Sequence, residues 1–189
     1  MYATKVVTSG EGGAVSTDDD DLAERLRLVR NHGMVHGYDT RVLGFNYRLP
    51  EISAAIASVQ MDKLPGFLRA RAKNAKYLTE RVGSAPGVEF TQNSEDRTHV
   101  YYLYTLFLRK NRDQILEKLK EKGIGAAVYF KMPVHKTPLY AKGGYAKVRL
   151  RNADDASKHV LSLPVHPAVT GEQLARVADG FLEASSLLA

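Results

Sequence analysis

Lys5 is the residue whose type and surroundings best suit covalent chemistry. It stands in Tyr2-Ala3-Thr4-Lys5-Val6-Val7-Thr8, beside small and hydroxylated residues, and Ser9-Gly10-Glu11-Gly12-Gly13 follows. An amine attacks an aldehyde only when neutral, and an ordinary lysine, with a pKa of about 10.4, is almost wholly charged at pH 7. Burial or a nearby cation lowers that value and releases the nucleophile. The residues alone leave two readings open for Lys5: such a nucleophile, or a surface lysine near a terminal hairpin. A second group is Asn46 and Arg48, in Gly44-Phe45-Asn46-Tyr47-Arg48. An amide and a guanidinium both donate to phosphate or carboxylate oxygens. Asn46 could instead bond its own backbone in a turn, and Arg48 could pair with Glu51. A third group is His135 and Tyr140, in the proline-punctuated stretch Lys131 to Tyr140. Both could face a substrate or serve as satisfied structural groups. The run Asp18-Asp19-Asp20-Asp21 invites a metal reading, but adjacent carboxylates at a helix start are far better explained as caps. His159 and His166 have no ligand spacing to another histidine or carboxylate.

These groups need elements to hold them. Lys5 to Thr8 and Ala14 to Thr17 flank the glycine-rich reversal and predict a hairpin. A helix follows, capped by Thr17 or Asp18, with Leu22, Leu26 and Val29 at helical spacing and Gly33 as its left-handed terminator. Residues 34–49 lack periodicity and predict a long loop, and loops of that length are often functional. Pro50 opens the next helix, with Ile52, Ala55, Ile56 and Val59 as a core-facing stripe. Pro65 predicts the start of a separate helix to Val82. Its Leu68, Ala72, Ala75 and Val82 face inward, and Arg69, Arg71, Lys73, Lys76 and Arg81 face outward. Gly83-Ser84-Ala85-Pro86-Gly87 is the densest cluster of breakers and predicts a domain boundary, with domains at 1–83 and 84–189. Beyond it the pattern predicts strands at Val88 to Thr91, His99 to Leu108 and Ala126 to Phe130. The second is apolar on both faces and therefore expected at the centre of a sheet. Helices are expected after Asn111, Asn152 and Thr170, the last with a Thr170/Gln173 capping box.

The chain has 189 residues, 44% of them hydrophobic, enough for a buried core. No run is long and apolar enough to span a membrane. The chain has no cysteine, so neither disulfides nor thiolate metal ligation enters. With no secretory leader, these absences predict a cytoplasmic protein. The net charge of +6 suits an anionic ligand. No basic run interleaves with aromatics, so nucleic acid is not the expected partner.

The motif around Lys5 resembles that of the DegT/DnrJ/EryC1/StrS family of pyridoxal phosphate (PLP)-dependent sugar aminotransferases. In that family an aromatic pair, a small residue and a threonine precede the Schiff-base lysine, and Gly-Glu-Gly-Gly follows. Arg30-Asn31-His32-Gly33, the segment Gly44 to Ala55, the His135 and Tyr140 positions and Ser162-Leu163-Pro164 resemble the same family. Val128-Tyr129-Phe130 stands where the family carries Val-His-Tyr, a departure at two positions.

The resemblance implies an α/β fold. Residues 1–83 would be the C-terminal remnant of a PLP-dependent transferase type I (aspartate aminotransferase-like) large domain, and residues 84–189 a small α/β domain. It implies that Lys5 anchors the cofactor and moves a proton between two substrate carbons. Asn46 would reach the PLP phosphate of the other subunit of a homodimer, and Arg48, His135 and Tyr140 would lie near the substrate. The reaction would move an amino group from an amino acid, glutamate or glutamine, to a keto-sugar nucleotide in polysaccharide or antibiotic sugar biosynthesis. A lysine, where related sugar dehydratases carry histidine, favours transamination over dehydration. The resemblance starts just before the lysine. The family's upstream part supplies the aromatic that stacks on the cofactor ring and the aspartate that pairs with the pyridine nitrogen. The chain alone is therefore expected to be a poor aminotransferase or none, and to expose apolar surface on the hairpin and the helix from Thr17 to His32. The rival expectation is a non-enzymatic interaction or regulatory remnant of such an enzyme.

Overall fold

The computed structural model describes residues 1–188 and falls into two compact units, Met1–Pro65 and Gly66–Ala189. The first unit opens with no strand. Residues 1–12 form a closed loop: the Lys5 N–H donates to Tyr2 O at 3.0 Å and the Ser9 N–H to Met1 O at 2.9 Å. The Met1 amine donates to Gly12 O. The expected hairpin is thus replaced by a loop closed on itself, because two short strands without a neighbour are marginal in water. Helix α1 spans Asp20–Val29. Its cap is Asp19, one residue past the expected position, whose carboxylate accepts the Leu22 N–H at 3.0 Å. The chain leaves α1 through His32 and Gly33, both at positive φ, and returns along it in a long irregular loop.

Helix α2 runs unbroken over Glu51–Val82 with Pro65 in its interior, where two helices were expected. One missing N–H costs about 3 kcal/mol, and the residues on both sides of Pro65 favour helix strongly enough to carry the chain across it. By compaction the chain divides at Pro65, inside α2. The reason is the second half of α2, whose Ala75, Leu78 and Val82 are buried in the core of the second unit. In the first half, the expected core stripe is open to solvent: Ile52 is 79%, Ile56 45% and Val59 51% exposed.

The second unit is built on an antiparallel sheet in the order β1 (Val88–Phe90), β2 (Tyr104–Leu108), β3 (Val160–Leu163). Leu106 pairs with Phe90 on one side and Leu161 on the other, so β2 is central as expected. It is shorter than expected. Arg71 Nη1 donates to the carbonyls of Tyr101 at 2.8 Å and Tyr102 at 3.1 Å, and Tyr101 takes φ 47. Those bonds divert residues 99–103 from the ladder, and they bury Arg71, which the helical pattern had put outside. Helix α3 (Arg112–Glu121) and helix α6 (Gly171–Ala184) supply Ile115, Leu119 and Phe181 to the core. Each such side chain contributes about 1.5–3 kcal/mol by leaving water. The Thr170/Gln173 capping box is present. Asn111 instead donates to Leu187 O at 2.7 Å and does not cap α3. Between them lie the 3₁₀ turn Val134–Lys136, helix α4 (Pro138–Lys142) and helix α5 (Arg151–His159), whose N-cap is Leu150 rather than Asn152. The strand expected at 126–130 is reduced to one bridge, Ala127 to Ser162.

Candidate functional site

Lys5 lies exposed on the closed loop 1–12. The loop is rigidified from within. Ser9, buried, donates through Oγ to Glu11 O at 2.7 Å, and Thr8 Oγ1 donates to Met1 O at 3.2 Å. Gly12, at φ 131, lets the loop settle against Leu49: a Cβ there would meet Leu49 Cδ1 at 2.7 Å. The loop that carries Lys5 is therefore packed against the residue that follows Arg48. An amine held on such a loop is reachable by an aldehyde.

Asn46 and Arg48 lie on the returning strand-like stretch of the first unit. Its backbone is tied to the end of α1 by three bonds: Phe45 N–H to Val29 O at 2.7 Å, His32 N–H to Phe45 O at 2.9 Å, and Tyr47 N–H to Arg30 O at 2.9 Å. This approach requires two glycines. A Cβ on Gly44 would lie 2.0 Å from Gly33 N, and one on Gly33, at φ 70, 1.8 Å from Val42 O. Extended backbone alternates its side chains. The Phe45 and Tyr47 rings stack at 5.0 Å, and Arg48 Nε donates to Asn46 Oδ1 at 2.9 Å. The expected alternatives, an Asn46 turn and an Arg48–Glu51 pair, are not formed. A cleft of about 710 Å³ adjoins this stretch, with Val15, Leu26, Arg30, Tyr47 and Leu49 in its wall.

His135 and Tyr140 belong to the second unit. His135 is buried, only 8% exposed, with Nε2 3.5 Å from Asp154 Oδ1 on the first turn of α5. Lys136 Nζ lies 2.5 Å from the same oxygen. The Lys136 ammonium is the main reason the Asp154 carboxyl is held below its ordinary pKa, with the His135 charge adding to it. The pattern had read Asp154 only as a first-turn carboxylate. Its second role could have been anticipated only from the fold, because 17 residues separate it from Lys136. Tyr140 is exposed, edge-on to Tyr145 at 6.1 Å. Beside them a largely apolar cavity of about 430 Å³ has the paired hydroxyls of Thr105 and Ser162, 2.9 Å apart, and Tyr129 and Phe130 in its lining. Neither His135 nor Tyr140 lines it.

Among the described residues, no three histidine, cysteine or carboxylate side chains are arranged to hold a metal. The donors of the first unit suit an organic aldehyde phosphate: a reachable amine, and an amide beside a guanidinium for anionic oxygen. No helix among the described residues is long and apolar enough to cross a membrane.

Residues 1–182 match the model of the DegT/DnrJ/EryC1/StrS aminotransferase family. The pleiotropic regulatory protein of Geobacillus stearothermophilus is 39% identical over 176 residues, which cover 92% of this chain and 47% of that protein. The dTDP-3-amino-3,4,6-trideoxy-alpha-D-glucose transaminase of Streptomyces venezuelae is 35% identical over 175 residues, covering 92% and 46%. The crystal structure of S. venezuelae DesV in complex with a ketimine intermediate aligns with a TM-score of 0.85 and 31% identity, over 89% of this chain and 45% of that chain. The chain spans about half the length of the curated relatives it matches.

Proposed function

The chain belongs to the DegT/DnrJ/EryC1/StrS aminotransferase family, and from that premise we propose that it carries the lysine half of a PLP-dependent sugar aminotransferase. The reaction is transfer of an amino group from an amino acid, glutamate or glutamine, to a keto-sugar nucleotide, in the cytoplasm and in a homodimer. Residues 1–83 belong to the cofactor-binding domain of that enzyme and residues 84–189 to its small domain. The observation that carries the reading is Lys5 itself, exposed on an ordered loop, within a motif that resembles the one around the family's cofactor lysine.

When bound, PLP supplies an electron-withdrawing ring beside the substrate carbon. The residues of this chain do the rest. With PLP bound, Lys5 Nζ would hold the aldehyde carbon, water being released, and after substrate displaces it would take and return the proton at the substrate carbon. Asn46 donates to the phosphate held by a partner subunit. Arg48, His135 and Tyr140 serve the substrate end. Arg48 has donors to spare for a diphosphate, and Tyr140 presents an exposed ring and hydroxyl. His135 acts from within, because its ring is buried against Asp154.

The test is borohydride trapping in the presence of PLP, followed by peptide mapping. Label on Lys5, and none in Lys5→Ala, is the expected result. Label elsewhere or nowhere overturns the assignment. A second reading, a non-enzymatic regulatory module, is favoured by one observation: the 39% identical relative from G. stearothermophilus carries a regulatory name. A chain that traps no PLP supports it.

A further inference from the structure

Asn46 has one acceptor and two donor hydrogens at its tip, and its function depends on which end faces outward. A guanidinium has only donors. The Asn46 atom that meets Arg48 Nε at 2.9 Å must therefore be Oδ1, and the NH₂ end is turned away from it. Among the described residues no hydrogen bond occupies that NH₂. The geometry points to Arg48 as a positioning residue: it locks the Asn46 amide with both N–H donors presented to an anion of phosphate type, and so acts on the cofactor phosphate through Asn46. The inference rests on the reading of Asn46 as a phosphate donor.

Two exposed side chains joined by one bond would ordinarily gain little, because each gives up rotamer freedom to meet the other. Here most of that ordering is already in place. The backbone on both sides of Asn46 is bonded to Val29, Arg30 and His32 of the α1 terminus. The stacked Phe45 and Tyr47 rings fix the opposite face of the same stretch. Arg48 and Asn46 are thus delivered side by side, and only the amide rotor remains to be set. Arg48 uses Nε for this, so its terminal nitrogens stay available to a second anionic group.

The test has two arms on the full chain. The first is ¹⁵N relaxation of the Asn46 side-chain amide. In the wild type its order parameter should approach backbone values of about 0.8, and in Arg48→Met fall below about 0.6. An amide equally mobile in both proteins overturns the inference, whatever the cofactor does. The second is PLP concentration dependence of borohydride trapping on Lys5. Asn46→Ala and Arg48→Met should each weaken half-saturation about tenfold or more, as expected for a lost hydrogen bond to a charged group. The double variant should be no worse than either. Asn46→Asp keeps an acceptor for Arg48 but loses the donors, and should be at least as impaired as Asn46→Ala. Multiplying effects in the double variant overturn the inference while leaving Asn46 as a phosphate donor intact. Unchanged half-saturation in Asn46→Ala, or no trapping at all, overturns the cofactor reading instead. The relaxation arm then still decides whether Arg48 sets the amide.

Discussion

Asp154 shows how one side chain joins distant parts of the sequence. Its carboxylate receives Lys136 and faces the buried His135, and Lys136 is the main cause of its lowered pKa. A carboxyl with a depressed folded value contributes stability above its unfolded pKa of about 3.9, and that contribution is lost as pH falls through the folded value. Lys136→Met should therefore destabilise the chain at neutral pH, and the difference from wild type should shrink as pH falls through the acid range. Urea titrations at pH 7 and pH 3 measure it, and an equal gap at both would refute the coupling. Tyr104 gives the opposite case. Burial pushes its hydroxyl up to about 12, despite the bond to Thr79 at 2.9 Å. A phenol with a raised folded value loses its contribution as pH rises from about 10 through that value. Alkaline unfolding should start near pH 10 and be blunted in Tyr104→Phe. Lys5, Asn46 and Arg48 were legible in the sequence as candidates, and only through the family resemblance of the motifs that hold them. The Arg48–Asn46 bond was not, because it depends on which way an extended backbone turns its side chains.

At the level of elements, the junction of α1 with its returning loop depends on Gly33 and Gly44. A methyl group on either would strike backbone, at 1.8 Å or 2.0 Å. Gly44→Ala should cost more than about 3 kcal/mol locally, a strain with no side chain to yield. Hydrogen exchange should then show the Phe45 and Tyr47 amides losing protection while Leu106 keeps its own. Thr170→Ala should cost about 1 kcal/mol through loss of the α6 cap, read from the thermal midpoint. Helices were the most legible elements, since α1, α3 and α6 announce themselves by period and α6 by its capping box as well. Strands were less so. His99 to Tyr102 has strand-forming residues, yet Arg71 captures its carbonyls from 30 positions away. Ala126 to Phe130 pairs at a single residue because the ladder beyond it has no partner. The 1–17 hairpin failed for the same reason.

For the whole molecule, the decisive fact is where the core is not. Among the described residues, every buried hydrophobic side chain lies between Ala75 and Leu188. The Met1–Pro65 unit leaves Val15, Leu22, Leu43, Ile52 and Val59 open to water. The expected exposure of the N-terminal region is present, and it extends further than expected, into α2. The stripe reads as core in the sequence because periodicity reports that a face is apolar, not what will cover it. Such a surface favours association. Sedimentation should show reversible, concentration-dependent self-association, weakened by Ile52→Glu with Ile56→Glu. A monodisperse monomer at high concentration would refute it.

Pro65 has a further effect on how the molecule comes apart. Its ring removes the rung of the α2 ladder that would end on the Met61 carbonyl, and only the turns after it are anchored by Ala75, Leu78 and Val82. Glu51 to Leu64 should thus melt on its own, ahead of the remainder. A heating curve followed by circular dichroism will show an early, shallow loss of ellipticity before the main cooperative step, and a single unfolding enthalpy fitted to the whole trace would describe neither event.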